Sequence, residues 1–148
     1  MSQPTLATSP HAAAALPFWH KAVQRLAEVG SMDLAAAPAS AVHSAYYAMY
    51  NATRAVAILA RGPEVTARHD GLISLYGRLA EEAQDQAMCA CGRDFNRVKD
   101  ARNKADYVGG FSPDLADAQS AVARARRFLA FAAGKYGFSL PPDSAEGR

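Results

Sequence analysis

The sequence predicts an all-α fold, an antiparallel up-and-down bundle of four to five helices, and three observations carry that reading. Apolar residues recur three or four positions apart through five segments, the repeat of one helix face. Gly and Pro punctuate the chain between those segments, and no stretch alternates apolar and polar residues as a half-buried strand does. At 148 residues, half of them apolar, the chain closes one core and is too short for two domains of ordinary size.

The elements follow in order. Residues 1–16 are rich in Ala, Ser, Thr and Pro without apolar periodicity, so a flexible N-terminal arm is expected ahead of a helical domain over 17–136. Pro17 suits a first helical turn, and Phe18, Ala22, Leu26 and Val29 recur at helical spacing until Gly30 stops them. Pro38 opens a second, longer helix that reaches Arg61 and is closed by Gly62-Pro63. Leu72, Ile73, Leu75, Tyr76 and Leu79 predict a third helix from Thr66 to Ala83, weakened by Gly71 and Gly77. A fourth, Gln86 to Asp106, carries Met88, Phe95, Val98 and Ala105 and ends at Tyr107-Val108-Gly109-Gly110. Ser112-Pro113-Asp114 starts the fifth: the hydroxyl caps exposed amides, Pro fits the first turn, and Asp favours the positive end of the helix dipole. That helix runs to Tyr136 with Leu115, Ala118, Val122, Ala125, Leu129 and Ala132 inward, and residues 137–148 read as a flexible C-terminal tail.

Composition excludes several classes. A net charge of +2 is too small for a whole-chain field that attracts nucleic acid, so any basic surface must be local. No apolar run approaches the roughly 18 residues of a membrane span and no secretory start is visible, so a cytoplasmic protein without a membrane partner is expected. Cys89 and Cys91, two apart on a helix, face different ways, which argues against a disulfide or a zinc pair. His11, His20, His43 and His69 form no ligand motif with them, and the Glu-x-x-His pairs of di-iron bundles are missing. Neither a metal nor a cofactor is called for. A glycine-rich phosphate loop is also lacking, which argues against α/β nucleotide-binding architectures.

Two constellations stand out. On the second helix His43, Tyr47, Asn51 and Arg54 share one polar stripe, which either forms a site or faces solvent and neighbouring helices through ordinary hydrogen bonds. On the fourth, Phe95, Lys99, Arg102 and Asp106 share a face, with Asp106 placed to hold the Arg102 guanidinium, or else to form a solvated pair worth less than about 1 kcal/mol. Arg124, Arg126, Arg127 and Lys135 on the fifth helix make either a phosphate track or a solvated surface.

The run Tyr46-Tyr47-Ala48-Met49-Tyr50, His69 after the Gly62-Pro63 turn, and the closing block Arg102, Ala105, Asp106, Tyr107 resemble the HEPN family of small helical domains associated with nucleotides and RNA. Small stand-alone members with an Arg-x-x-Ala-Asp-Tyr closing motif are the ones it is similar to, over Phe18 to Ala133. In the family an Arg here is followed by four to six residues and a His, whereas this chain has Tyr107, Val108 and Gly109 at those places and Asn51 where many relatives have His. The resemblance implies a homodimer whose two Arg-bearing helices line a cleft for RNA or a nucleotide. It also implies a nucleotidyltransferase-type partner protein in a two-component stress or toxin–antitoxin system.

An Arg offers five fixed donors to a phosphate and stabilises a phosphorane, while RNA cleavage without metal also wants a group that exchanges protons near neutrality. Free carboxylic acids are ionised at neutral pH and free phenols titrate near about 10, so residues of the Asp106 and Tyr107 types are poor stand-ins, and His69 is a third candidate. The catalytic candidates are therefore Arg102, Asp106, Tyr107 and His69, and the nucleic-acid-binding candidates Tyr47, Asn51, Arg54, Lys99, Arg102 and Asn103. Three functions remain in view: an RNA- or nucleotide-binding domain with degenerate or weak nuclease activity, a metal-independent ribonuclease using Arg102, and a helical scaffold or partner-binding module without nucleic acid.

Overall fold

The computed structural model describes residues 3–65, 69–107 and 109–142, with backbone alone for residues 69 and 70. Five helices make up the fold: α1 (Ala12–Gly30), α2 (Pro38–Arg61), α3 (His69–Ala83), α4 (Gln86–Tyr107) and α5 (Leu115–Tyr136). No strand occurs among the described residues, so the chain is all-α. The expected start of α3 at Thr66 lies outside the described residues.

The second helix is the axis of the bundle and touches each of the other four. Its small residues explain that role, because Ala41, Ala45, Ala48, Ala52, Ala55 and Ala57 are fully buried and let neighbouring helices approach closely. Large rings fill the space between. Tyr46 of α2 packs on Phe95 of α4 with centroids 5.8 Å apart, Phe95 on Phe128 of α5 at 5.5 Å, and Phe128 on Tyr76 of α3 at 5.0 Å, a chain of rings that ties four helices together.

Ends and turns correct several expectations. Helix α1 begins at Ala12, not Pro17, because the alanines before Pro17 are strong helix formers and Ala15 packs fully buried in the core; Pro17 sits inside the helix and forfeits one backbone bond. Helix α5 is capped by Asp114, not by Ser112. The Asp117 amide donates to Asp114 Oδ1 at 2.8 Å and the Asp114 amide to Asp117 Oδ2 at 2.9 Å, a reciprocal capping box that leaves Pro113 outside the helix. Leu115, expected on the inner face, is 42% exposed, since it precedes the first turn that reaches the core. Gly62, which closes α2, adopts φ +93°, and a Cβ there would also press on the His11 ring at 3.4 Å.

Residues 3–16 and 137–140, expected as parts of a loose arm and tail, are packed on the bundle. The Gln3 side-chain amide donates to the Leu79 carbonyl at 2.7 Å, the Leu6 amide to the Tyr136 carbonyl at 2.8 Å, and the Ser9 hydroxyl to the Leu59 carbonyl at 2.8 Å. At the other end Phe138 stacks on Trp19 at 4.4 Å, while the indole N–H donates to the Ser139 carbonyl at 2.7 Å. Their sequence lacks periodicity because they are not helical over most of this length, which says nothing about burial.

Candidate functional site

Arg102 lies on α4 where that helix crosses α2, and its surroundings are aromatic. Its guanidinium carbon is 4.7 Å from the Tyr46 ring centre and 5.9 Å from that of Tyr47, and the residue is only 9% exposed. The Asp106 carboxylate, one turn on, is 3.8 Å from Nη1. A desolvated cation over an aromatic face is worth about 1–2 kcal/mol, whereas a long, partly solvated ion pair contributes less than about 1 kcal/mol. The ring platform, more than Asp106, therefore positions Arg102. Its buried Nε has no hydrogen-bond acceptor among the described residues.

Asp106 Oδ2, the same oxygen that faces Arg102, is also 3.8 Å from Nδ1 of His43. His43 comes from α2 and packs against Tyr47, ring centres 4.8 Å apart. Together with Ala39, Ser40 and Ser44, His43 and Asp106 line an open hollow at the start of α2. Guanidinium, carboxylate and imidazole thus meet at one place although they are separated by some sixty residues in the chain. His43 is the functional candidate that reasoning from the closing motif missed. Its signal in the sequence is its place as the first member of the polar stripe, four residues before Tyr47, whereas the family motif points only to the places after Arg102.

The other candidates divide. Tyr107 is 75% exposed and makes no aromatic contact to the cluster, and Asn103 and Lys99 are half-buried on α4 beside Arg102. The side chain of His69, and the whole of Val108, lie outside the described residues. Asn51 and Arg54 do not reach Arg102. They line a separate cleft between α1 and α2, where the Asn51 amide donates back to the Tyr47 carbonyl at 2.9 Å and the Arg54 guanidinium lies 4.2 Å from the Phe18 ring centre. The single polar stripe is therefore split by Tyr47, which borders both places.

On α5 three of the four basic candidates are paired. Arg124 and Arg127 of α5 reach Asp94 of α4 at 3.1 and 3.6 Å, and Lys135 reaches Asp85 at 2.9 Å, so these cations tie two helices together and do not form a free phosphate track. Both cysteines are free thiols, and burial pushes the Cys91 thiol up to about 11, which keeps it protonated and unreactive near neutrality. Burial likewise raises the Tyr76 and Tyr136 phenols. Among the described residues there is no group of three side chains able to hold a metal ion, and no helix is long and apolar enough to cross a membrane.

No curated protein and no solved structure matches the chain. A family model for the HEPN domain matches residues 19–135, from the middle of α1 to the last turn of α5. The five-helix chain with Arg102 seated between α2 and α4 thus belongs to the HEPN domain family, which has nuclease or nucleotide-binding roles.

Proposed function

We propose that this domain binds RNA or a nucleotide through Arg102, with the Tyr46 and Tyr47 rings as its platform. The observation that carries the reading is a guanidinium held over two rings, with a buried Nε that no acceptor among the described residues satisfies. A buried donor without an acceptor is costly, and a phosphate oxygen is the acceptor that Arg geometry suits best. The half-buried Tyr47 ring beside Arg102 suits a stacked base.

A second reading, weak strand cleavage, is favoured by His43 on the far side of Asp106. Imidazole exchanges protons near neutrality and Arg102 would steady the extra charge of a phosphorane, so the pair would serve the roles that Arg and His share in the family motif. A homodimer also fits, because Tyr107, Phe111 and Leu115 expose large apolar side chains around the α4–α5 connection, which follows Asp106 in the chain. A partner protein of the nucleotidyltransferase type, in a two-component system, is a further expectation of the family.

The experiment measures binding and cleavage of labelled single-stranded RNA without added metal. Arg102→Gln is expected to weaken binding at least tenfold. His43→Gln is expected to keep binding and remove whatever cleavage the wild type shows. Unchanged binding in Arg102→Gln overturns the reading in favour of a scaffold.

A further inference from the structure

The cleft between α1 and α2 carries a second, separate arrangement that the Arg102 site does not use. It has a volume of about 470 Å³, within the size range of small-ligand sites, and is lined by Phe18, Lys21, Tyr47, Tyr50, Asn51 and Arg54. Two cations converge there on one ring: Lys21 Nζ is 5.4 Å and the Arg54 guanidinium carbon 4.2 Å from the Phe18 centre. Neither has an ion-pair partner among the described residues, whereas the cleft's remaining cation, Arg25, is answered by Glu28 at 3.5 Å. The buried Nε of Arg54 is again without an acceptor among the described residues. Two like charges gathered on one apolar ring repel each other, and an anion between them would relieve that repulsion while satisfying the orphan donor.

The cleft also carries aromatic rings from α2. Tyr47 and Tyr50 lie with ring centres 5.8 Å apart, and the Asn51 side chain beside them, one N–H of which is given to the Tyr47 carbonyl, carries an amide oxygen and a second N–H suited to a base edge. Two cations and aromatic rings within one small cleft match a molecule that joins a phosphate to a flat ring. We infer that this cleft binds a nucleoside monophosphate unit, its phosphate at Lys21 and Arg54 and its base against Tyr47 and Tyr50. Because Tyr47 also borders the Arg102 site, the cleft takes the neighbouring nucleotide of a strand held at Arg102. That last step rests on the proposed function, while the cleft's affinity for a nucleotide does not.

The test titrates AMP, adenosine and inorganic phosphate separately into the ¹⁵N-labelled full chain, following the amide signals of α1 and α2. Wild type is expected to show saturable shifts around residues 18–28 and 47–54 with AMP, and at least tenfold weaker binding of adenosine or phosphate alone. Lys21→Gln, on an exposed side chain that the core does not need, is expected to weaken AMP at least fivefold, and Lys21→Gln with Arg54→Gln further still. Arg102→Gln is expected to leave AMP binding at the cleft unchanged while it lowers RNA affinity, so loss of the RNA-binding reading and loss of the cleft read out separately. Absence of shifts with AMP, equal binding of phosphate alone, or unaltered AMP affinity in both Lys21 variants overturns the inference.

Discussion

The guanidinium of Arg102 makes its closest ring contact with Tyr46, and the two carboxylate contacts of Asp106 are both 3.8 Å long. The guanidinium lies over the ring face of Tyr46. Tyr46→Phe is therefore expected to retain RNA affinity, while Tyr46→Leu, which keeps an apolar filler and removes the π face, should lower it several-fold. Fluorescence anisotropy with labelled RNA on both variants separates the two outcomes, and equal losses would point to the hydroxyl instead. At this scale the sequence showed which residues share a helix face, since four-residue spacing is a property of the helix alone. Which face meets which other helix was not visible, so His43 went unassigned and Asn51 and Arg54 were grouped with Arg102.

Each helix carries its own punctuation, and two of the punctuating side chains make separable predictions. Asp114→Ala removes the acceptor of the α5 capping box and is expected to cost about 1 kcal/mol in urea unfolding, as loss of an N-cap usually does. Asp85 precedes α4, where its Oδ1 accepts the Met88 amide at 3.0 Å and its Oδ2 the Lys135 ammonium at 2.9 Å. The Lys135 hydrogen bond, aided by that of Met88, holds the Asp85 carboxyl below its ordinary value. The folded state consequently prefers the ionised carboxylate. Its stabilisation is complete above the unfolded carboxyl pKa of about 4, declines as pH falls through the lower folded value, and is gone below both. Asp85→Asn, which keeps a capping oxygen but not the charge, should thus be less stable than wild type at pH 7, and the gap should close on acidification in urea melts. A gap that stays constant with pH would show that Lys135 contributes nothing through charge.

On the scale of the whole molecule, the two chain ends act as seams of the bundle. Phe138 is buried against Trp19, and the chain just after α5 accepts the indole hydrogen bond, so α1 and the segment after α5 lock together. Phe138→Ala is expected to cost about 3 kcal/mol, at the lower end for a buried ring at a position that remains partly able to collapse. Chemical denaturation of the full-length variant measures it directly, and a loss below about 0.5 kcal/mol, the range of an ordinary surface substitution, would mean the seam is cosmetic.

Helix content, the span of α2 and the division into five segments followed from the chain by itself, because apolar repeat and backbone breakers act over a few residues and need no tertiary partner. The Arg102 and Asp106 pairing was likewise local, one turn apart on α4. Tertiary structure alone decided the rest. Whether residues 3–11 and 137–140 lie on the core depends on hydrogen bonds to helices far away in the chain, which no short-range pattern encodes. It also decided that an imidazole from α2 stands beside the Arg102 carboxylate partner, and that Lys21 of α1 joins Arg54 of α2 on one ring. These meetings are set by how the helices cross, and crossing is fixed by the alanine-lined contacts of α2 and the chain of packed rings through the core.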